Sequence, residues 1–186
     1  MRRYRKPYKE RVKLQLFTKF VMDLLFVVML AYFIVLMFGM RFTIVGNSMN
    51  DTLVNEQVVL INKASYHFHE PMRYDLILFK ASGVYEGKEY VKRIIGLPGE
   101  TIQIQDGKIT VNGMDLVNDI SDRYILTPGL ASEVITLAEN EYFVLGDNRN
   151  NSEDSRFYTI GNVKRENILG KVWIRIHPLD HFGIVK

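Results

Sequence analysis

Residues 24–40 form an uninterrupted apolar run, LLFVVMLAYFIVLMFGM, that contains no charged side chain. Together with residues 20–22, on the other side of Asp23, the apolar stretch reaches about 20 residues, the length that a helix needs to cross a bilayer. A cleaved signal peptide usually has a shorter apolar region and a cleavage site of small residues, which Phe38-Gly39-Met40 is not. A buried core helix would show a polar face, and this run has none. The run therefore predicts one retained transmembrane helix over residues 20–40.

Basic side chains are concentrated ahead of this run. Residues 1–19 hold 8 of the 24 Lys and Arg and a single acid, Glu10, whereas residues 41–186 hold 16 Lys and Arg against 19 Asp and Glu. Because cytoplasmic flanks of membrane helices are rich in Lys and Arg, we expect residues 1–19 to form a basic cytoplasmic tail on membrane lipid. Residues 41–186 would then lie outside. Their mild acidity argues against nucleic acid as a partner, and the lack of cysteine excludes a Cys nucleophile.

Residues 41–186 consist of short β-rich runs separated by turn residues. Several runs alternate apolar and polar side chains, as half-buried strands do. The predicted strands span residues 57–62, 75–79, 90–95, 101–105, 108–111, 141–145 and 171–176. Asp106-Gly107 between two of these runs predicts a tight hairpin. Residues 129–140 are the nearest candidate for a helix, so we expect a mainly β, antiparallel outer domain.

Three segments contain more glycine and polar residues than strands and turns require. They read Gly-Asn-Ser-Met-Asn-Asp-Thr-Leu at 46–53, Tyr-Val-Lys-Arg-Ile-Ile-Gly-Leu-Pro-Gly-Glu at 90–100, and Gly-Asp-Asn-Arg-Asn-Asn-Ser-Glu-Asp-Ser-Arg at 146–156. In the second segment, Lys92 lies within an apolar strand. Burial there would lower the lysine pKa and leave an amine able to take a proton from a serine. On spacing alone, however, a strand lysine that faces water is the commoner case.

The other two segments also allow two interpretations. Ser48 follows Gly46 and Asn47, which permit an unusual backbone that exposes a hydroxyl and directs N–H groups toward an oxyanion, but an ordinary turn serine has the same neighbours. The third segment has no aliphatic side chain and is by default a solvated loop. Its charged residues also suit a buried ion-pair network. The candidates for that network are Asp147, Arg149, Asp154 and Arg156.

Taken together, the three segments resemble the characteristic boxes of type I signal peptidases. Those boxes read Ser-Met-x-Pro-Thr-Leu, Lys-Arg-x-x-Gly-x-Pro-Gly-Glu/Asp and Gly-Asp-Asn-x-x-x-Ser-x-Asp-Ser-Arg, after a single N-terminal anchor. The order and spacing here are similar, and the resemblance covers residues 20–176. The third box and the small size resemble the Gram-positive branch. The resemblance implies an antiparallel β-sheet catalytic domain of the signal peptidase and LexA-like type, in a single-pass protein of a bacterial cell membrane.

The resemblance also implies roles for individual residues. Ser48 would be the nucleophile, with its N–H group at the oxyanion, and Lys92 the general base. Ser152 would hydrogen-bond to the lysine and orient it. Asp154 and Arg156 would support the site, and Asp147 and Arg149 would be structural members of the same network. No cofactor is implied, and no metal is expected, because His67 and His69 flank Phe68 on a predicted strand without further ligands nearby.

Three positions depart from the family pattern. Asp51 stands where the first box has proline, which questions the local turn geometry. Gly46 has no side chain to donate to the oxyanion, so the second oxyanion donor stays unidentified. Tyr74 stands where glycine is common.

Secreted preproteins with small residues at the minus-one and minus-three positions are the substrates that the resemblance implies. Such a segment can add as an extended strand beside the site. Phe42, Ile44 and Val45, just before the nucleophile box, are candidates for its pockets, although a core strand or an apolar contact with the membrane explains them equally well. The sequence leaves open the oligomeric state and whether the substrate set is general or dedicated.

Two other functions remain as alternatives. A LexA-like self-cleaving protease has the same Ser and Lys logic, but it should carry a DNA-binding module where this chain has an apolar run. A non-catalytic or dedicated anchored homologue that acts in surface-fibre (pilus) assembly is the second. The presence of both Ser48 and Lys92 favours an active peptidase.

Overall fold

The structure is a computed structural model that describes residues 5–82, 86–121 and 123–185. The chain divides into two compact units, Met1–Gly39 and Met40–Lys186. Residues 1–4 of the predicted basic tail lie outside the described residues.

The N-terminal unit is one long helix, α1 (Arg5–Phe38). It contains a candidate membrane span, Arg11–Phe33, of 23 residues with a mean hydropathy of 2.0 and no burial within the protein. At about 1.5 Å per residue, a helix of this length matches the hydrocarbon core of a bilayer, about 30 Å thick. The helix begins inside the segment predicted as a tail, because that segment is rich in helix-forming Lys and Arg and its proline lies in the first turn. The boundaries of tail and anchor stay a prediction.

The second unit is built mainly from antiparallel β-strands, as predicted. Between β2 and β3 lies one short helix, α2 (Ser65–Phe68). The described strands are β1 (Gly39–Thr43), β2 (Val58–Asn62), β3 (Leu76–Lys80), β4 (Glu89–Gly96), β5 (Thr101–Gln105), β6 (Lys108–Val111), β7 (Met114–Asp115), β8 (Ile135–Thr136), β9 (Glu141–Leu145), β10 (Val163–Lys164), β11 (Ile168–His177) and β12 (Gly183–Ile184).

Two sheets organise these strands. The larger sheet has the order β1-β2-β11-β3-β4-β9-β10, with β12 paired to β11, and the smaller has the order β7-β6-β5-β8. The pairings from β2 to β10 are antiparallel. All seven predicted strands are present within a few residues of their predicted bounds. The predicted hairpin joins β5 to β6, and Asp106 and Gly107 both have positive φ, 48° and 70°, as a tight type I′ turn requires.

One helix candidate is absent, and one local prediction was wrong. Residues 129–140 do not form a helix: a 3₁₀ turn at Gly129–Ser132 is followed by β8, because β-branched residues at 134–136 favour a strand. His67 lies in α2 and His69 follows it, so the two do not share a strand face. Asn62 Oδ1 accepts a hydrogen bond from the Ser65 N–H at 3.0 Å and thereby starts this helical turn.

The strands β3 and β4 lie in the centre of the larger sheet and are buried on both faces. Ile77 and Phe79 pack with Ile94 and Val144 on one face. On the other face, Leu76, Leu78 and Val91 pack with Met49 and Leu53 from the segment between β1 and β2. The first predicted box is thus fixed to the centre of the sheet by two buried apolar side chains.

Candidate active site

Ser48 lies on a tight turn that begins after β1. Gly46, with φ of +90°, starts the turn, and the N–H groups of Asn50 and Leu53 donate to the carbonyls of Asn47 and Met49. The side chains of Met49 and Leu53 are buried, whereas Ser48 is partly exposed. The turn therefore holds the hydroxyl of Ser48 at the surface of the core.

Lys92 reaches this hydroxyl from the middle of β4. Its backbone lies opposite Ile77 of β3, and its side chain is only 2% exposed. Lys92 Nζ lies 2.5 Å from Ser48 Oγ, which is hydrogen-bonding distance. Of the two interpretations left open by the strand pattern, the buried lysine is the one that the structure contains.

Burial lowers the pKa of the Lys92 amine from its usual 10.5 to about 8. The nearby carboxylates of Asp154, Glu153 and Asp147 oppose this shift, and the Arg156 guanidinium adds to it. Near neutral pH a useful fraction of the amine is thus uncharged. An uncharged amine next to a hydroxyl can act as a general base toward it.

The first ion pair of the site joins Arg93, next to the lysine on β4, with Asp147. The guanidinium donates twice to the carboxylate, from Nε to Oδ1 at 2.8 Å and from Nη2 to Oδ2 at 2.7 Å, and both side chains are buried. Thr52 Oγ1 donates to Asp147 Oδ2 at 2.5 Å. Asp147 therefore connects β4 with the turn that carries Ser48.

The second ion pair lies within the third predicted box. Arg156 Nε donates to Asp154 Oδ1 at 2.8 Å and Arg156 Nη2 donates to Oδ2 at 2.9 Å, again between buried side chains. Asp154 Oδ2 also accepts the Gly146 N–H at 3.1 Å. Arg149 pairs with Asp119 of the segment after β7, and its carbonyl accepts from Arg156 Nη2 at 2.6 Å. The four predicted network residues are thus buried close together. Asp154 and Arg156 pair with each other, whereas Asp147 pairs with Arg93 and Arg149 pairs with Asp119.

Ser152 is placed at the site, but without a partner. Its Oγ atom is buried and makes no hydrogen bond, so its predicted role in orienting Lys92 stays a proposal. Gly146 lies directly beneath it. A Cβ atom at position 146 would come 2.5 Å from the Ser48 carbonyl oxygen and would also meet Ser152 Oγ, so only glycine fits here.

An apolar groove of about 340 Å³ runs beside the serine and the lysine. All three predicted pocket residues, Phe42, Ile44 and Val45, lie along it, and Lys88 with residues 89–92 of β4 also lines it. Ile44 is buried and Val45 is 84% exposed. The groove can therefore accept an extended apolar segment next to Ser48 Oγ.

Comparison with known proteins identifies the family. A sequence model described as signal peptidase, peptidase S26, matches residues 17–177. This chain belongs to that family. Membership confirms the resemblance to type I signal peptidases and supports a peptidase that removes signal peptides.

Curated relatives cover most of the chain. Signal peptidase I of Leptolyngbya laminosa is 36% identical over 145 residues, which are 74% of this chain and 68% of the relative. Signal peptidase I of Bacillus caldolyticus is 36% identical over 154 residues, 77% and 82% of the two chains, and signal peptidase I V of Bacillus subtilis is 35% identical over 138 residues, 68% and 79%. A crystal structure of a signal peptidase I from Enterococcus faecalis aligns with a TM-score of 0.45 at 34% identity, over 56% of this chain and 97% of that one.

The position of Tyr74, where signal peptidases often have glycine, has a conformational explanation. Tyr74 has a positive φ of 72°, a region that favours glycine. Its hydroxyl donates to the Val117 carbonyl at 2.6 Å, and its own carbonyl accepts from Arg93 Nη1 at 2.8 Å. Contacts on both sides hold the tyrosine in this conformation.

Several residues of this signal peptidase site were not predicted as site residues. Arg93 and Thr52 lie inside two of the boxes, and their places next to Lys92 and near Ser48 in the sequence were the signal available. Asn148, also in a box, donates from its N–H to the Ser48 carbonyl at 3.0 Å. Asp119 lies outside the boxes, and its pairing with Arg149 had no sequence signal. Among the described residues, no group of three or more His, Cys, Asp or Glu could hold a metal ion.

Proposed function

We propose that this chain is a membrane-anchored serine endopeptidase that removes N-terminal signal peptides from secreted preproteins, with Ser48 as nucleophile and Lys92 as general base. One observation carries the proposal. The Lys92 amine is 2% exposed, has a pKa lowered to about 8 by burial, and lies 2.5 Å from the Ser48 hydroxyl.

Acylation begins when Ser48 Oγ attacks the scissile carbonyl carbon while its proton moves to Lys92 Nζ. The carbonyl oxygen becomes an oxyanion, for which the Ser48 N–H is available because it donates to no other described residue. The C–N bond then breaks, and the Lys92 ammonium gives its proton to the leaving amine. In the second half, Lys92 takes a proton from water, which attacks the acyl ester. The proton then returns to Ser48 Oγ as the signal peptide carboxylate leaves.

Two arginines let the amine stay uncharged beside two carboxylates. Asp154 and Asp147 are each close enough to favour the protonated form of Lys92. Each carboxylate, however, is paired in bidentate fashion with a buried guanidinium, Arg156 or Arg93. Each carboxylate charge is therefore largely neutralised by its own guanidinium, and desolvation has the largest effect on the pKa of Lys92. This is the supporting role that we propose for the third box.

The free edge of β4 suits an extended substrate. Residues 89–93 pair with β3, whereas β9 pairs only with residues 93–96. Within the described residues, the stretch 89–92 thus has an unpaired edge beside the groove, where a preprotein segment can add as a strand. Small side chains at the minus-one and minus-three positions would fill the shallow sites along Phe42, Ile44 and Val45.

Anchoring is the third part of the proposal. The helix that contains the candidate span Arg11–Phe33 would cross the cell membrane once through the predicted anchor at residues 20–40, with the basic residues 1–19 in the cytoplasm and residues 41–186 outside. This orientation would bring the catalytic unit to the side of the membrane where exported preproteins emerge.

The test is cleavage of a preprotein by the full chain in detergent micelles. The unmodified chain should release the signal peptide, whereas Ser48→Ala and Lys92→Met should each lose activity by about 10³-fold or more, because the two groups act as a unit. Tyr158→Phe, at a position 86% exposed, should retain full activity and serves as the control. Equal activity of all variants would refute the dyad, and an inactive but folded unmodified chain would favour the non-catalytic pilus-assembly alternative.

A further inference from the structure

Arg123, in the segment after β7, reaches across to the turn that carries Ser48. Its Nη2 donates to Asp51 Oδ1 at 2.8 Å, and its Nη1 donates to Asn148 Oδ1 at 3.4 Å. Asp51 follows Ser48 by three residues on the same turn. Asn148 donates from its N–H to the Ser48 carbonyl and from Nδ2 to the Asn47 carbonyl, each at 3.0 Å. One guanidinium therefore contacts two side chains that lie on either side of the nucleophile.

The backbone conformation at position 51 does not depend on a hydrogen bond from the Asp51 N–H group. Among the described residues, the Asp51 N–H donates no hydrogen bond, and Asp51 is not one of the positions with positive φ. The N–H groups of Thr52 and Leu53 both donate to the Met49 carbonyl, at 2.8 and 2.6 Å. A proline could be accommodated at position 51 without the loss of a hydrogen bond. In this chain a side-chain contact is present there instead.

We propose that Arg123 is a positioning residue for the peptidase reaction, and that its ion pair with Asp51 and its hydrogen bond to Asn148 fix the Ser48 turn in place of the proline of the family box. This inference rests on the proposed role of Ser48 as nucleophile. The segment between β7 and β8, which carries Arg123, thereby takes part in the geometry of the active site.

The size of the effect follows from exposure. The side chains of Arg123 and Asp51 are 56% and 30% exposed, and an ion pair of this kind shifts a conformational equilibrium by about two- to fivefold. Proline at a compatible position restricts the unfolded or disordered backbone by about the same factor. The ion pair and the proline should therefore stabilise the turn by similar amounts. Loss of Arg123 should lower kcat by about two- to fivefold rather than abolish it, and high salt should reduce the difference.

The kinetic test compares kcat and KM for preprotein cleavage by the full chain and by Arg123→Ala, Asp51→Pro and the double variant. Arg123→Ala should lower kcat with little change in KM, and the double variant should recover the kcat of Asp51→Pro alone. Arg165→Ala, which removes a partly exposed ion pair to Glu70 away from the turn, should have no effect. An unchanged kcat in Arg123→Ala, or a loss that persists in the double variant, would overturn the proposal.

Hydrogen exchange gives a second readout that does not need activity. The amides of Asn50, Thr52 and Leu53 should exchange faster in Arg123→Ala and recover in the double variant. If the unmodified chain is inactive but shows this exchange pattern, the proposed function fails and the positioning role stands. If the chain is active and neither kcat nor exchange responds to Arg123→Ala, only the positioning role fails.

Should Asp51→Pro disturb the fold by itself, the charge-exchanged pair decides the matter. Asp51→Arg and Arg123→Asp should each loosen the turn, and together they should restore slow exchange and kcat. A double variant no better than its two parents would overturn the proposal.

Discussion

Lys92 is the residue at which folding and the proposed catalysis make opposite demands. A buried lysine loses hydration when charged, and this loss, opposed by the nearby carboxylates, lowers its pKa from 10.5 to about 8. At about 1.36 kcal/mol per pKa unit, the difference amounts to about 3 kcal/mol. The same loss of hydration produces the uncharged amine that the reaction needs.

The pH dependence of cleavage should follow this amine. Below its pKa the active, uncharged fraction falls about tenfold per pH unit, so kcat/KM should rise with pH and level off above about 8. Glu153 is exposed, and its charge raises the pKa of Lys92. Glu153→Gln should therefore move the midpoint to lower pH, whereas Glu166→Gln, at another exposed position, should leave it in place. A profile that rises only near pH 10.5 would contradict the buried-base mechanism.

Replacement of the amine should stabilise the folded chain. Between pH 8 and 10.5 the unfolded chain binds more protons at Lys92 than the folded one, so wild-type stability rises with pH across this window. Lys92→Met does not bear the free-energy cost of burying a titrating amine. It should be more stable than wild type at pH 7 by up to about 3 kcal/mol, and the difference should shrink toward pH 10.5. Denaturant unfolding at several pH values measures this. Lys80→Met, at an exposed end of β3, is the control, and a pH-independent difference would contradict the prediction.

At the scale of elements, the active site forms where three separate segments meet. The turn after β1, the buried strand β4 and the segment after β9 each supply part of it. The segment that follows β7 of the smaller sheet is connected through the Arg149–Asp119 ion pair and the Tyr74 hydroxyl. The Ser48 hydroxyl and the Lys92 amine are 44 residues apart in sequence, and Arg93 and Asp147 are 54 apart. The site is therefore a property of strand pairing rather than of any single loop.

This arrangement explains what the sequence could predict. Strands and the Asp106-Gly107 hairpin are determined by local alternation and turn chemistry, so their positions could be predicted closely. The apolar neighbours of Lys92 on β4 left its burial open, and only the resemblance to the signal peptidase boxes favoured a buried amine. The partners of charged residues depend on long-range packing: Arg149 pairs with Asp119, outside every box. Residues 129–140, the nearest candidate for a helix, do not form one because their apolar spacing is too weak to outweigh local β-branched residues.

Tyr74 tests the connection between the two sheets. Tyr74→Phe removes the hydrogen bond from the hydroxyl to the Val117 carbonyl while keeping the ring and the backbone conformation. The free energy of unfolding should fall by about 1 kcal/mol, and the segment around Val117 should exchange its amide hydrogens faster. Tyr158→Phe, at a position 86% exposed, should change neither quantity. An unchanged stability and exchange rate in Tyr74→Phe would show that this hydrogen bond does not connect the sheets.

At the scale of the whole molecule, charge is divided between the two units. Residues 1–19 carry 8 Lys and Arg with a single acid, whereas residues 41–186 carry 16 Lys and Arg against 19 acids. The helix α1 contains the apolar candidate span Arg11–Phe33, with a mean hydropathy of 2.0. The two units therefore differ in their preferred surroundings: an apolar phase with anionic headgroups for one, and water for the other.

The lack of cysteine makes the proposed orientation directly testable. A single cysteine can be introduced by Tyr8→Cys, ahead of the candidate span, or by Tyr158→Cys, at a position 86% exposed in the second unit. In intact cells a membrane-impermeant maleimide should label Tyr158→Cys and leave Tyr8→Cys unlabelled, because the basic flank stays in the cytoplasm. Detergent should make both sites react, and the unmodified chain should never react. The reverse pattern in intact cells would place Ser48 on the cytoplasmic side, where exported preproteins have not yet crossed, and would contradict the proposed role of the anchor.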